Sequence, residues 1–127
     1  MPDNMEFQYV VAELWRFILY FDELDDQLFE WLNKSVKCFE RHNHESGFIE
    51  YLFVLVEKYP QKTGELCINM LQAGAMPTYQ KEEIEKILNS LYQKELKEYA
   101  DEICNLYAAN GLDAVTRELY KKYNQII

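Results

Sequence analysis

Two histidines and three cysteines are the residues best suited to metal binding or thiol chemistry in this chain. Cys38 and His42 are four positions apart, so a helix would place a thiolate and an imidazole on one face, with His44 two residues further on. A structural zinc site takes four nitrogen or sulfur ligands, which this group does not supply. We interpret Cys38 as a small, semi-buried residue and the histidines as loop residues, and predict no metal or other cofactor. A metal-dependent enzyme that uses Cys38 and His42 is the alternative.

The other two cysteines, Cys67 and Cys104, stand at apolar positions within predicted helices. A reactive thiol requires an electropositive, partly exposed setting, and no histidine lies near either residue in the sequence. The sequence also contains no glycine-rich phosphate loop and no His-Glu-x-x-His metalloprotease motif. We therefore predict buried structural thiols, no catalytic residues and a non-enzymatic protein.

Four carboxylates within five residues form what we call the acidic cluster: Asp22, Glu23, Asp25 and Asp26. Asp22 could cap a following helix, and the others would favour the positive end of its dipole, but one cap does not require four acids. Residues 1–30 carry eight acids against the single base Arg16, which gives this part a net charge near −7. Such a concentration could steer a basic partner protein, and the alternative is a solvated surface.

Composition excludes several classes of protein. The 127 residues are 49% hydrophobic and 15% aromatic, which argues against disorder, and the net charge of −9 argues against direct nucleic-acid binding. The longest apolar stretch, residues 14–21, is too short to cross a bilayer, and the residues before it are acidic rather than basic. An odd, small number of cysteines predicts a reducing compartment. We expect one cytoplasmic domain spanning residues 1–127, with neither a membrane nor a small-molecule substrate.

Apolar residues recur with helical spacing between proline, glycine and polar breaks, which predicts an all-α protein of about seven helices. The predicted helices form stacked antiparallel pairs, as in an α-solenoid, or an irregular bundle. Residues 1–45 would form the first pair and residues 46–127 the repeat-like pairs with a terminal helix. The first two predicted helices span about residues 5–21 and 23–42. The third, fourth and fifth begin near Ser46, Pro60 and Pro77. The fourth ends at Gly74, the sixth ends at Gly111, and the seventh includes Val115.

The first predicted helix is apolar on more than one face. Trp15, Phe17 and Ile18 are among the residues that would give it two hydrophobic sides. A terminal helix of this kind needs a neighbour, which could be a second copy, a partner protein or more of the same polypeptide. We therefore include these three residues with the acidic cluster as candidate partner-binding residues.

A weak internal repeat runs through residues 52–111 of the chain. Glu65-Leu66-Cys67 with Gly74 matches Glu102-Ile103-Cys104 with Gly111 at an offset of 37 residues. Leu52 and Leu55 match Leu88 and Leu91 at an offset of 36. A period in the thirties is typical of helix-pair repeats, in which each pair must stack on the next to bury its apolar face.

Two stretches resemble known helical repeats. Residues 55–60 followed by 71–77 look like an α-solenoid of the HEAT-like kind, and residues 91–96 through 110–111 look like a tetratricopeptide-type pair. The resemblance implies stacked helical pairs and a protein-binding role. Similar segments end large bacterial multidomain proteins, including signalling ATPases with helical-repeat sensor tails, so the chain would be the terminal segment of such a protein. A small acidic inhibitor of the immunity-protein or antitoxin type is the alternative.

Overall fold

The computed structural model describes residues 25–36, 45–74, 76–77, 80–114 and 116–125. These residues form six helices: α1 (Asp26–Val36), α2 (Glu45–Leu55), α3 (Pro60–Gln72), α4 (Lys81–Gln93), α5 (Lys97–Ala109) and α6 (Arg117–Asn124). No strand occurs within the described ranges, so the prediction of an all-α protein is confirmed. The predicted first helix, residues 5–21, and Val115 lie outside them.

Helix starts were predicted less well than helix ends. Pro60 occupies the first turn of α3 as predicted, where its missing N–H is not needed. Helix α1 begins at Asp26, three residues after the predicted start at about residue 23, whereas α2 begins at Glu45, next to the predicted start near Ser46. The prediction for α4 was wrong, because it begins at Lys81 rather than near Pro77. Pro77 is buried in the connection, where its carbonyl accepts a 2.6 Å hydrogen bond from the hydroxyl of Tyr107.

Left-handed residues end the three central helices. Gly74 after α3 has φ +100° and Gly111 after α5 has φ +71°. Both glycines therefore end their helices as predicted, in the left-handed conformation that is common there. The corresponding residue after α4 is Glu95, with φ +65°. At the end of α4 the N–H of Leu96 donates to the carbonyl of Leu91 at 2.8 Å, and at the end of α5 Leu112 donates to Tyr107 at 2.9 Å. Both are the 6→1 bond of a Schellman motif.

The hydrophobic core consists of apolar residues that recur with helical spacing. Four such residues form an apolar stripe on α4, and all four are buried: Ile84, Ile87, Leu88 and Leu91. Helices α1, α2, α3 and α5 bury apolar residues in the same cluster, whereas α6 buries none completely and packs Leu119 and Tyr120 against its edge. Burial of these side chains supplies most of the driving force for folding.

Each described helix contacts the next but one. Helix α1 packs on α3 and α3 on α5, while α2 packs on α4 and α4 on α6. Consecutive helices from α2 to α6 also contact each other. Among the residues described, no helix is both long enough and apolar enough to cross a membrane.

Candidate protein-interaction surface

Asp25, from the acidic cluster, caps α1. Its Oδ1 accepts a 2.8 Å hydrogen bond from the N–H of Leu28, and its carbonyl accepts the first helical bond, from Phe29, at 2.9 Å. This is the N-cap role that we had assigned to Asp22. Asp25 is exposed and its carboxylate satisfies one of the free N–H groups at the helix start. A local structural role therefore explains its residue type, and its charge still faces solvent.

Asp26, the other described residue of the acidic cluster, forms an ion pair with α3. Its Oδ1 lies 3.0 Å from Nζ of Lys62 on α3, and its side chain is 96% exposed against 28% for Lys62. The ammonium group of Lys62 also lies 5.6 Å from the ring centroids of Phe29 and Tyr59. Since Asp26 is almost fully solvated, the pair contributes little to stability, and the carboxylate remains accessible to a partner.

A cleft of about 560 Å³ opens beside this ion pair. It lies between α1, the start of α3 and the turn that joins α4 to α5, and the rings of Phe29 and Tyr59 line it together with Asp26, Lys62 and Lys94. Aromatic side chains are enriched at protein interfaces, whereas Lys and Asp are more common at the polar rim than at the core. The described part of the acidic cluster thus borders a mixed aromatic and charged surface.

The remaining candidate residues lie outside the described residues. They comprise the partner-binding candidates Trp15, Phe17, Ile18, Asp22 and Glu23, and the metal-binding alternative Cys38, His42 and His44. Within the ranges that the structure describes, no group of three or more His, Cys, Asp or Glu side chains could hold a metal ion.

Cys67 and Cys104 are both 3% exposed, so the prediction that they are buried is confirmed. Burial raises the pKa of the Cys67 thiol to about 12, and the neighbouring Cys104 adds to the increase. Burial also raises the pKa of Cys104 to about 11, although its hydrogen bonds with Tyr92 and Thr116 act in the opposite direction. Both thiols are therefore protonated at neutral pH and poorly suited to nucleophilic chemistry.

A polar cluster around Asp101 joins α4, α5 and α6. Its Oδ1 accepts hydrogen bonds from the hydroxyl of Tyr92 at 2.6 Å and from Nδ2 of Asn124 at 3.0 Å, and its Oδ2 pairs with Lys97. Burial opposes ionisation, but the bonds from Asn124, Lys97 and Tyr92 together lower the pKa of Asp101. From the sequence, only the ion pair between Lys97 and Asp101 could be predicted, from their i,i+4 spacing. The contacts with Tyr92 and Asn124 could not, because these residues come from other helices.

The exposed face of α2 carries an apolar side chain. Val54 is 64% exposed, and the ring of the neighbouring Phe53 is covered on one side by Nζ of Lys86, 4.1 Å from its centroid. Single exposed apolar residues are ordinary on protein surfaces. Val54 is therefore not, by itself, a binding site.

Neither known protein families, nor characterised proteins, nor solved structures give a significant match to this chain.

Proposed function

We propose that the protein is a non-enzymatic interaction module that binds a basic partner protein, and that its helices form stacked antiparallel pairs of the helical-repeat kind. The observation that carries this proposal is the regular contact between each described helix and the next but one. In a stack of helical pairs, every helix lies beside its counterpart in the neighbouring pair, which produces this pattern.

Side-chain hydrogen bonds between non-consecutive helices support the same arrangement. Nδ2 of Asn69 donates to Oδ1 of Asn33 at 2.6 Å across 36 residues, and the hydroxyl of Tyr123 donates to Oδ1 of Asn89 at 2.6 Å across 34. The ion pair from α1 to α3 also spans 36 residues. These separations are close to the offset of 36–37 residues in the sequence repeat, so the repeat and the packing have a similar period.

The acidic cluster is the surface that we assign to the partner. Asp25 and Asp26 are exposed, and both belong to the first 30 residues, whose net charge is near −7. Clustered charge of one sign accelerates encounters with a partner of opposite sign and makes the association sensitive to salt. Cys67, Cys104 and Asp101 have structural environments, which favours binding rather than catalysis as the function.

Neutralising the acidic cluster tests this assignment. The variant Asp22→Asn, Glu23→Gln, Asp25→Asn and Asp26→Asn removes four charges and preserves the cap of α1, since asparagine caps helices as well as aspartate. A matched control removes four exposed charges elsewhere: Glu50→Gln, Glu98→Gln, Glu102→Gln and Glu118→Gln. Both variants have the same net charge, so any difference between them reports the position of the charges.

The assay is affinity capture from an extract of the source cells, followed by titration of the purified partner at several salt concentrations. We expect the unchanged protein and the control to bind the same basic protein, with affinity that falls as salt rises. The cluster variant should bind it much more weakly. Equal affinity for all three proteins would reject the acidic cluster as the binding surface.

Substitutions in the first predicted helix test its role separately. We expect Phe17→Asp or Ile18→Asp to disrupt folding or assembly, because a charge on either apolar face would have to be buried at a contact. Circular dichroism and light scattering after size-exclusion chromatography measure the two effects. Variants that stay folded and retain every partner would show that this segment is not an interface.

The concentration of acids near the start of the chain also favours a second candidate, a small acidic inhibitor of a basic enzyme. An inhibitor of this type occupies the phosphate-binding surface of an enzyme that acts on nucleic acid. Adding the protein to the captured partner would then abolish nuclease activity in proportion to binding. A partner whose activity is unchanged when saturated would support the interaction module instead.

A further inference from the structure

A second cleft lies at the other end of the described chain. It has a volume of about 410 Å³ and runs between the second half of α5, the turn after it and α6. Clefts of roughly 300–1,000 Å³ are the usual size for small-molecule sites. It shares no lining residue with the cleft beside the acidic cluster. A proposal about this second cleft is therefore independent of the proposed partner protein.

The lining of this C-terminal cleft is mainly apolar. Cys104 and Thr116 line the cleft and are only 3% and 1% exposed, and the more exposed Ala108 and Tyr120 line it as well. Thr116 hydrogen-bonds the Cys104 sulfur, and the hydroxyl of Tyr92 lies 3.9 Å from that sulfur, so Cys104 and Thr116, the two buried lining residues, already have polar partners. The interior therefore offers contact area to an apolar body and little hydrogen bonding.

Two cations and one carboxylate stand at the rim. Oδ2 of Asp113 accepts a 3.0 Å hydrogen bond from Nε of Arg117 and lies 2.9 Å from Nη2, so this carboxylate orients the guanidinium and leaves Nη1 out of the pair. Lys121, one helical turn further on, forms no ion pair with any residue in the described part of the chain. The lining residues thus carry a net charge of +1 in a chain of net charge −9.

We propose that the C-terminal cleft binds a small organic monocarboxylate with an apolar body. The carboxylate would lie between Lys121 and the free edge of Arg117, and the body would cover Ala108 and the ring of Tyr120. A single negative charge matches the local charge of +1, and an apolar body removes the side chains of Ala108 and Tyr120 from water. An inorganic anion could use the cations but would leave these two side chains hydrated.

The experiment compares four probes by isothermal titration, with amide NMR shifts to locate the site. The probes are 4-phenylbutyrate, its neutral amide, acetate and inorganic phosphate. We expect 4-phenylbutyrate to bind and to shift the amides of Asn105, Ala108 and Tyr120. Its amide should bind several-fold more weakly because it lacks the charge, and acetate should not bind measurably because it lacks the apolar body.

A pair of charge reversals on α6 provides the matched variants. Lys121→Glu changes a cleft residue, whereas Lys122→Glu makes the same change at an exposed neighbour that does not line the cleft. Both place the same unfavourable charge near the end of the helix, so their effects on α6 itself are similar. We expect about a tenfold loss of affinity for 4-phenylbutyrate with Lys121→Glu and less than about a twofold loss with Lys122→Glu.

Each of several results would overturn the proposal. Equal binding of the acid and the amide would show an apolar cavity without anion recognition, and tighter binding of phosphate would show a simple anion site. Equal losses of affinity in Lys121→Glu and Lys122→Glu would show that the ligand binds elsewhere. Amide shifts confined to helices other than α5 and α6 would show the same. The comparison of probes uses the unchanged protein, so it decides the question even if a variant unfolds.

Discussion

Gly64 lies in the middle of α3, where glycine is the least favourable residue except proline. It is buried where α3 packs against α5. A Cβ added at this position would lie 3.1 Å from Cβ of Tyr99, 3.3 Å from its Cγ and 3.2 Å from Cδ2 of Leu91. All three distances are shorter than an ordinary carbon–carbon contact of about 3.5 Å or more. We predict that Gly64→Ala lowers the free energy of unfolding.

Two opposing terms set the size of the effect. Replacing a helical glycine by alanine contributes about 1 kcal/mol of helix stability. Overpacking a core by a methyl group costs about 1–3 kcal/mol. Leu91 can relieve its contact by changing rotamer, but Cβ of Tyr99 is fixed to the backbone of α5, so its contact is relieved only if the helices separate. The net expectation is a loss of about 1 kcal/mol, or about 4 °C in Tm.

Urea unfolding followed by circular dichroism measures this difference, and Ala108→Gly provides the control. Ala108 is exposed on α5, so that variant makes the reverse exchange without a packing contact and should lose about 1 kcal/mol. If there were room for a methyl group at Gly64, Gly64→Ala would raise the free energy of unfolding by about as much as Ala108→Gly lowers it. A gain of about 1 kcal/mol would therefore refute the close approach of α3 and α5.

Three further changes in stability follow from the described residues. Glu95→Gly should stabilise the protein by about 0.5–1 kcal/mol, because Glu95 is exposed and holds φ +65°, which glycine adopts without strain. Thr63→Val should stabilise it by about 1 kcal/mol, because the Thr63 hydroxyl is buried without a hydrogen-bond partner among the described residues. Asp101→Asn should destabilise it by about 1–2 kcal/mol at pH 7 and by less at pH 3. The folded protein lowers the pKa of Asp101, so the unfolded chain takes up the proton first and this stabilisation is lost as pH falls below about 4.

Unfolding in urea measures each change, and a different result would contradict each argument. A loss of stability in Glu95→Gly would mean that the Glu95 side chain makes a stabilising contact. A loss in Thr63→Val would mean that the hydroxyl has a partner, such as water. Equal destabilisation by Asp101→Asn at pH 3 and pH 7 would mean that the carboxylate contributes through shape rather than through its charge.

Part of the fold was predictable because its causes are local. The helical class, the apolar stripe of α4 and the first turn of α3 at Pro60 follow from residue spacing and from the missing N–H of proline. Gly74 and Gly111 ended their helices as predicted, because the left-handed conformation required there is easiest for glycine. The burial of Cys67 and Cys104 followed in the same way from their apolar positions.

Other features were not predictable because they depend on residues distant in the chain. The position of Gly64 is explained by Tyr99 on another helix, and Pro77, which precedes α4, accepts a hydrogen bond from Tyr107 on α5. Glu95 takes a left-handed conformation that its residue type disfavours, since α4 and α5 require a tight connection there.

The candidate sites also combine features that the sequence predicts with features that depend on tertiary packing. The sequence by itself determined the concentration of acidic residues near the start of the chain, because charge is a property of residue type. Only the tertiary structure decided that Asp26 pairs with Lys62 and that Arg117 and Lys121 stand over an apolar cleft. The physical reason is that charges and apolar surfaces form a site only where packing brings separate helices together, and the spacing of residues along one helix does not encode which helix will be its neighbour.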